Sequence, residues 1–542
     1  MRSASVRGPS ARRVITLALT IAAALAAGCI NVFWKTDVRS IARLTDSTTT
    51  TSIASPIKVH MADGSTVIFD KGGTVSRASI AGSGRSFALL RSIATPRERV
   101  PMDSVVGIET FEGKKLAAQS VAVSVAATVL GTIASVGILK AIFGSCPTVY
   151  ADTGAGQFLE AEGFSYAIAP LMEHRDVDPL RAGADDKGIV RLELRNEALE
   201  THFINHVELV AVRHHKDARA VPDQSSRPIV ASRFVPIVRA TDRAGRDVRA
   251  FIANRDGRLF ASAPAVVRNA REGDLDDWID IDVAGLPPGD SVAVVLRLRN
   301  SLLNTVLLYE GMLGGRDAAD WLHTRLQHIG QAVELSRWYV RTMGLRASVA
   351  GVPSVNGDER LGVARLGDVG PIAFRDVALV LPRSARNAAS SRVRLRFVAD
   401  NWRIEQVLVA GSFSRPEPEM LAIDSVVVPT PASGKGPVMD TAAVRALADA
   451  DDRYLETGPG QRMTLVFKRS TAARATADST TTYLLAWQGW YREWIRGSWL
   501  ANPTRTTAFV PGDSVVLAAL RRWTERKTTF ERQFYESKIP VR

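Results

Sequence analysis

The sequence predicts a mainly β protein with some α: a small barrel, one apolar helix, β-sandwich-type domains and a C-terminal amphipathic helix. Three observations carry this. Short runs of alternating apolar and polar residues recur between Gly, Pro, Asn and Asp turns. A single internal run, Leu116 to Phe143, carries no ionisable residue between Ser120 and Leu139. The last stretch places Val516, Leu520, Trp523, Phe530 and Phe534 at helical spacing, with Arg and Lys opposite.

At 542 residues the chain exceeds one hydrophobic core and is expected to form several domains. The apolar fraction of 46% and charged fraction of 23% are those of a globular protein. The net charge of +13 comes chiefly from arginines scattered among Asp and Glu along the whole chain. A nucleic-acid binder concentrates such charge and interleaves it with stacking aromatics, so the pattern argues against DNA or RNA as a partner. Two cysteines, Cys29 and Cys146, make no disulfide framework.

Taken in order, Arg2, Arg7, Arg12 and Arg13 form a basic start, followed by the apolar run Val14 to Leu25 and by small residues ending in a cysteine. This has the form of an export signal. Leu25-Ala26-Ala27-Gly28-Cys29 resembles the lipobox of bacterial lipoproteins, with Ala26 where that pattern prefers Leu. The resemblance covers residues 1–28 as a signal peptide and implies acylation of Cys29, a membrane anchor and a place in the bacterial cell envelope. Two acyl chains hold a protein to a bilayer firmly where one does not.

Residues 29–115 are expected to form the small barrel. After a Thr/Ser-rich tether, Asp46 to Ser52, the alternation Ile57, Val59, Met61, the Asp63-Gly64 turn and Val67, Ile68, Phe69 spell a hairpin. Short strands are expected around Val75 to Ile80, Phe87 to Leu90 and Pro101 to Glu109. Together they resemble SH3-like or Lsm-like barrels, a fold that implies no single function. Residues 116–144 follow as an apolar helix, long enough for a hydrocarbon core that takes about 20 residues. Leu116 to Phe143 is expected to sit in the membrane as a second anchor or hairpin, or to pack within the fold. Both folded parts are expected to share the external side of the inner membrane.

Residues 145–345 read as a β-rich domain with a helical insert. Cys146 is expected to be a free buried thiol. Ile189 to Arg195 and His206 to Arg213 alternate as half-buried strands and are expected to pair with each other. His202 and His206 lie four apart in strand-like sequence, about 13 Å, with no third ligand close by, and do not suggest a metal site. The acids Asp274, Asp276, Asp277, Asp280 and Asp282 lack the Gly and closing Glu of a calcium loop and are expected in a solvated loop entering a strand. Ser291 to Asn300 is a strand with Val292, Val294, Leu296 and Leu298 on one face. Asp317 to Ile329 is a helix with Trp321, Leu322, Leu326 and Ile329 inward.

Residues 346–542 read as a β-sandwich-like domain. Ile372 to Leu381, Val393 to Val398 and Trp402 to Val409 are strands, the last two joined by Asp400-Asn401, and the pair faintly resembles strands of jelly-roll carbohydrate-binding modules. Trp487, Trp490, Tyr491 and Trp494 are candidate ligand-facing aromatics, suited to stacking on sugar or lying at a membrane interface. Their spacing also suits a helix packed in the core.

The sequence has no Gly-x-Ser-x-Gly elbow, His-Glu-x-x-His helix, phosphate-binding Gly-Lys-Ser/Thr loop or Cys-x-x-Cys pair. It therefore nominates no catalytic residue, cofactor or metal. The reading that follows is a non-catalytic binding or scaffold protein of the envelope, whose partners are membrane lipid and an envelope polysaccharide or protein. A glycan or peptide hydrolase is the alternative, since a glycosidase needs only two carboxylates about 5–10 Å apart. An inner-membrane protein with a cytoplasmic nucleic-acid-binding domain is the second alternative.

Overall fold

The computed structural model describes residues 30–541 apart from 41–49, 55–56, 62–65, 70, 88–94, 118–145, 153–155, 199, 287–288, 314–317, 319–320, 327, 350–362, 384–390, 429–437, 452, 459, 470–477, 495–507, 537 and 539–540. Cys29 and all but the start of Leu116 to Phe143 lie outside the described residues. Leu116 and Ala117 are not helical: they end a strand. Among the described residues no helix is long and apolar enough to cross a membrane.

The first body is an eight-stranded near-barrel. Its strands are β1 (Ile30–Ser40), β2 (Thr51–Ile53), β3 (Ile57–Met61), β4 (Thr66–Phe69), β5 (Gly73–Val75), β6 (Ser79–Phe87), β7 (Thr95–Pro101) and β8 (Val105–Ala117). The expected hairpin is β3–β4, in register Ile57↔Phe69 and Val59↔Val67. Its alternating apolar residues meet Ile80, Val100, Val105 and Ile108 in one buried cluster. The strand β1, which pairs with β8 along its whole length, was not expected, and β2 takes Thr51 and Ser52 from the supposed tether. In β6, Gly84 leaves room for its sheet neighbours, because a Cβ there would stand 2.7 Å from the Phe69 ring and 2.6 Å from the Arg97 carbonyl.

The second body begins with β9 (Thr148–Asp152), β10 (Gln157–Glu162), β11 (His174–Pro179), β12 (Ile189–Arg195) and β13 (Glu200–His215). Before that sheet is complete, the chain makes a sandwich. Its strands are β14 (Arg219–Pro222), β15 (Pro228–Val235), β16 (Ile237–Asp242), β17 (Asp276–Val283), β18 (Ser291–Asn300), β19 (Leu345–Val349), β20 (Val363–Leu366), β21 (Arg375–Pro382), β22 (Arg392–Val398) and β23 (Trp402–Ser414). The chain then returns through β24 (Glu419–Val428), β25 (Val438–Met439), β26 (Leu455–Thr457), β27 (Arg462–Lys468) and β28 (Ser479–Glu493). The resulting ten-stranded sheet runs β10-β9-β12-β27-β24-β13-β28-β11, with β25 and β26 at its margins. Thus β12 and β13 do not pair with each other: β27 lies beside β12 and β28 beside β13. Local alternation marked both as strands but carried no information on partners that lie more than 260 residues downstream.

The sandwich has two five-stranded sheets, β14-β15-β23-β18-β21 and β16-β17-β22-β19-β20. Val292, Val294, Leu296 and Leu298 point together into its core, facing Ile279, Ile281, Leu395 and Phe397. The consecutive strands β22 and β23 belong to opposite sheets, so Asp400-Asn401 is a corner and not a hairpin turn. Asp400 adopts φ 58°, and its carboxylate accepts hydrogen bonds from Arg403 and Trp523. Of the acids expected in a solvated loop entering a strand, Asp274 precedes β17, while Asp276, Asp277, Asp280 and Asp282 lie on it. Asp280 and Asp282 face Arg394 and Arg392 across the strand pair, each with a 2.7 Å contact.

Helical segments cover the inner face of the ten-stranded sheet. The expected helix Asp317 to Ile329 is broken: a π-helical turn, Trp321–Arg325, precedes an α-helix, Ile329–Trp338, whose first residue is exposed. The C-terminal helix, Asp513–Glu536, forms as its periodicity requires, with Val516, Leu520, Trp523, Phe530 and Phe534 all buried.

Candidate functional site

Where the ten-stranded sheet, the helical layer and the margin of the sandwich meet, the fold leaves a cavity of about 40 Å³. Cys146 precedes β9, Glu162 ends β10, Glu200 begins β13, Asn300 ends β18 and Tyr491 lies near the end of β28. Asn304, Tyr309 and Tyr339 come from the helical layer, and Asp368 from the connection between β20 and β21. Tyr309 lies in one π-helical turn, Leu307–Met312, and Tyr339 opens another, Tyr339–Met343. Such turns rotate one side chain out of the α-helical series and recur at functional sites.

Among the described residues the lining is acidic and hydroxylic, with no Lys or Arg. Glu162 accepts hydrogen bonds through Oε2 from the Ile372 and Ala373 amides at 2.7 and 3.0 Å. Its Oε1 is buried with no hydrogen-bond partner among the described residues. Burial pushes the Glu162 carboxyl up to about 8, the two amides offsetting part of that effect, so it holds a proton at neutral pH. Gly370, at φ +91°, presses its backbone against this carboxyl; a Cβ there would stand 2.5 Å from Glu162 Oε2.

Asp368 accepts from Ser165 Oγ at 2.9 Å, from the Gly370 amide at 2.8 Å and from Asn304 Nδ2. Burial raises its pKa, and these donors lower it. Asn304 Oδ1 and Asn300 Nδ2 have no partner among the described residues. Beside the cavity, Tyr309 donates to Glu493, and His202 Nε2 stands 3.2 Å from Glu200 Oε2. Burial pushes His202 down to about 3, which keeps the ring neutral. The Cys146 thiol is free and buried, as its sequence context suggested, and burial followed by the Glu162 charge pushes its pKa up. A thiol held protonated is a poor nucleophile.

A second buried polar assembly adjoins this one. Arg375 on β21 contacts Asp176 and Asp178 on β11 at 2.8 and 2.6 Å and donates to the Glu162 carbonyl at 3.1 Å. Trp487 Nε1 donates to Asp178 Oδ2 at 3.0 Å. Burial works to raise Asp176, but Arg375 and His174 hold it well below the usual carboxylate range.

Of the four aromatics nominated from sequence, only Tyr491 reaches the cavity. All of Trp487, Trp490 and Tyr491 belong to β28, a strand and not a helix, and are buried. Trp487 packs on Phe164 with ring centroids 4.8 Å apart, and Trp490 stacks on Phe203 at 4.0 Å. Trp494 is half-buried, its Nε1 donating to Thr201 Oγ1 at 2.9 Å. Trp487, Trp490 and Tyr491 are thus part of the interior. Glu162, Asn300, Asn304, Tyr309, Tyr339 and Asp368 have no motif in the sequence; the nearest local signal is the turn Gly367-Asp368-Val369-Gly370-Pro371. Among the described residues no group of three or more His, Cys, Asp or Glu is placed to hold a metal ion.

No known family profile, curated protein or solved structure matches the chain.

Proposed function

We propose that this chain is a membrane-tethered protein of the bacterial cell envelope with a binding or scaffolding role. The observation that carries the reading is the contrast between its two ends of chemistry. The N-terminal sequence has an export-type start closing on Gly28-Cys29, while the acids Glu162 and Glu200 and the aromatics Trp487, Trp490 and Tyr491 lie in the interior. A cavity of about 40 Å³ compares with roughly 300–1,000 Å³ for sites that take small organic ligands. Arg375 pairs with Asp176 and Asp178 between the sandwich and the ten-stranded sheet, which suits a body that presents surfaces and loops.

Cys29→Ser tests the tether. The variant should leave the membrane fraction and lose incorporation of radioactive fatty acid; retention of both refutes acylation at Cys29. A second assay tests the role. Full-length protein in detergent, incubated with isolated cell envelope, should bind a component in pull-down without releasing soluble sugars or peptides. Release that disappears in Glu162→Gln would replace this reading with the hydrolase.

A further inference from the structure

We propose that the bulged edge of the sandwich at Val238 and Arg239, with the adjoining helical turn Arg249–Ile252, docks on the headgroups of an anionic lipid bilayer. β16 is the outer strand of its sheet, and a register shift against β17 between Ile237 and Arg239 leaves Val238 as the extra residue. Such a bulge breaks the in-and-out alternation of a strand. Val238 and Arg239, though adjacent in sequence, are accordingly both exposed, Val238 at 57%. Phe251, on the helical turn, is 40% exposed. The Arg249 guanidinium donates to the Val238 carbonyl at 3.3 Å and ties the turn to the bulge.

The turn holds Phe251 at the surface. Val248 and Ile252 are buried in the sandwich core on either side of it, the Val248 amide donates to the Ala240 carbonyl at 2.9 Å, and the Phe251 amide donates to the Val248 carbonyl at 3.0 Å. A single exposed apolar side chain needs no explanation, but here two lie on packed, adjoining elements among arginines.

Charge complementarity names the partner. Among the described residues no carboxylate pairs with Arg239 or Arg249: Arg239 donates to Thr241 Oγ1 at 3.1 Å, and Arg249 to the Val238 carbonyl. The neighbouring acids are engaged elsewhere. Asp242 pairs with Arg246 at 2.6 Å, Asp256 with Arg258 at 2.5 Å and Asp282 with Arg392 at 2.7 Å, while Asp247 accepts from the Arg249 amide at 2.9 Å. A guanidinium suits phosphate through its fork of donors, and apolar side chains beside it suit the boundary between headgroup and acyl chain. Four side chains fall far short of the roughly 20–30 residues a side of a stable protein interface. They suffice as a second contact for a chain already held at a membrane. The proposal rests on the membrane-tethered reading for the presence of the bilayer and adds which face of the body meets it.

The test uses the full chain carrying Ala250→Cys, labelled at that exposed position with an NBD maleimide, and the labelled wild-type chain as blank. It is reconstituted into vesicles of phosphatidylcholine alone or with about 30% phosphatidylglycerol. NBD emission should rise in the anionic vesicles only and be quenched there by a spin-labelled lipid. Salt at about 0.5 M should reverse most of the rise. Arg239→Gln and Arg249→Gln should each lower the docked-to-undocked ratio about fivefold, and Phe251→Ser should lower it as well. All three side chains are exposed, so the variants keep the fold. Equal emission in both kinds of vesicle, or a rise untouched by the two arginine variants, overturns the proposal. So does a rise on concentrating the protein without vesicles, which would assign the patch to a second copy. Flotation with phosphatidylcholine vesicles reports the tether alone, and anionic vesicles added to an untethered chain still report the patch, so the two readings fail separately.

Discussion

Arg375 Nε on β21 lies 2.6 Å from Asp178 Oδ1 on β11, with neither side chain more than 8% exposed, so one guanidinium links the sandwich to the ten-stranded sheet. The same group reaches Asp176 at 2.8 Å and the carbonyl of Glu162, whose side chain lines the cavity. Buried ions stabilise only when paired with good geometry, and removing one partner is costly because the other stays behind uncompensated.

Arg375→Met should therefore destabilise the protein by about 3–5 kcal/mol, read from denaturant unfolding, by leaving Asp176 and Asp178 buried together. Arg375→Lys should recover only part of this, because a lysine cannot form the planar fork that spans two carboxylates. A loss under 1 kcal/mol in Arg375→Met would show that the link is incidental.

Glu162 predicts a pH dependence of known sign. Its carboxyl is raised from 4.5 to about 8 in the folded protein, first by burial, so the folded state holds a proton that the unfolded state releases. The resulting stability is fully present below the unfolded value and is lost as pH rises through about 8, with a slope of at most about 1.4 kcal/mol per unit. The unfolding free energy of wild type should fall between pH 5 and 8 relative to Glu162→Gln. Parallel curves for the two proteins would contradict the assignment.

Gly370 and Glu162 should be energetically coupled. With φ +91° and a Cβ position 2.5 Å from Glu162 Oε2, Gly370→Ala brings both backbone strain and a collision, and should cost about 1–3 kcal/mol or more. Truncating the carboxyl in Glu162→Ala relieves the collision and leaves the strain, so the double variant should lose less than the sum of the singles. A double-mutant cycle with no coupling would rule out the close approach.

Trp523 clamps the C-terminal helix to the sandwich corner. Its indole donates to Asp400 Oδ2 at 2.8 Å, and its ring is fully buried. Trp523→Phe loses the hydrogen bond while Arg403 still pairs with Asp400, and should cost about 1–2 kcal/mol in denaturant unfolding. Trp523→Ala adds a cavity, should cost about 3–5 kcal/mol, and should make the helix Asp513–Glu536 the first site of proteolytic cleavage. Cleavage elsewhere first would place the weak point outside this clamp.

Periodicity alone determined much of the local structure. Ile57, Val59 and Met61 alternate because a strand exposes every second residue to one face, and the same rule marks Ser291 to Asn300. Val516, Leu520 and Trp523 repeat at helical spacing because one stripe must meet the core. The mainly β character, the barrel hairpin, the sandwich strands and the last helix were legible for that reason.

Partners and chemistry were decided by tertiary structure. The strands β22 and β23 have the same alternation whether they pair or part, and only the corner at Asp400 sends them to opposite sheets. The spacing of Trp487, Trp490 and Tyr491 suits a helix face; fifteen residues of pairing between β13 and β28 make the segment a strand instead, and all three rings are buried. The cavity draws Glu162, Asn304, Asp368 and Tyr491 from segments spread over more than 300 residues. No short-range pattern signals that convergence, because burial and hydrogen bonding, which set the charge state of Glu162 and leave its Oε1 without a donor, exist only once the sheets have closed around it.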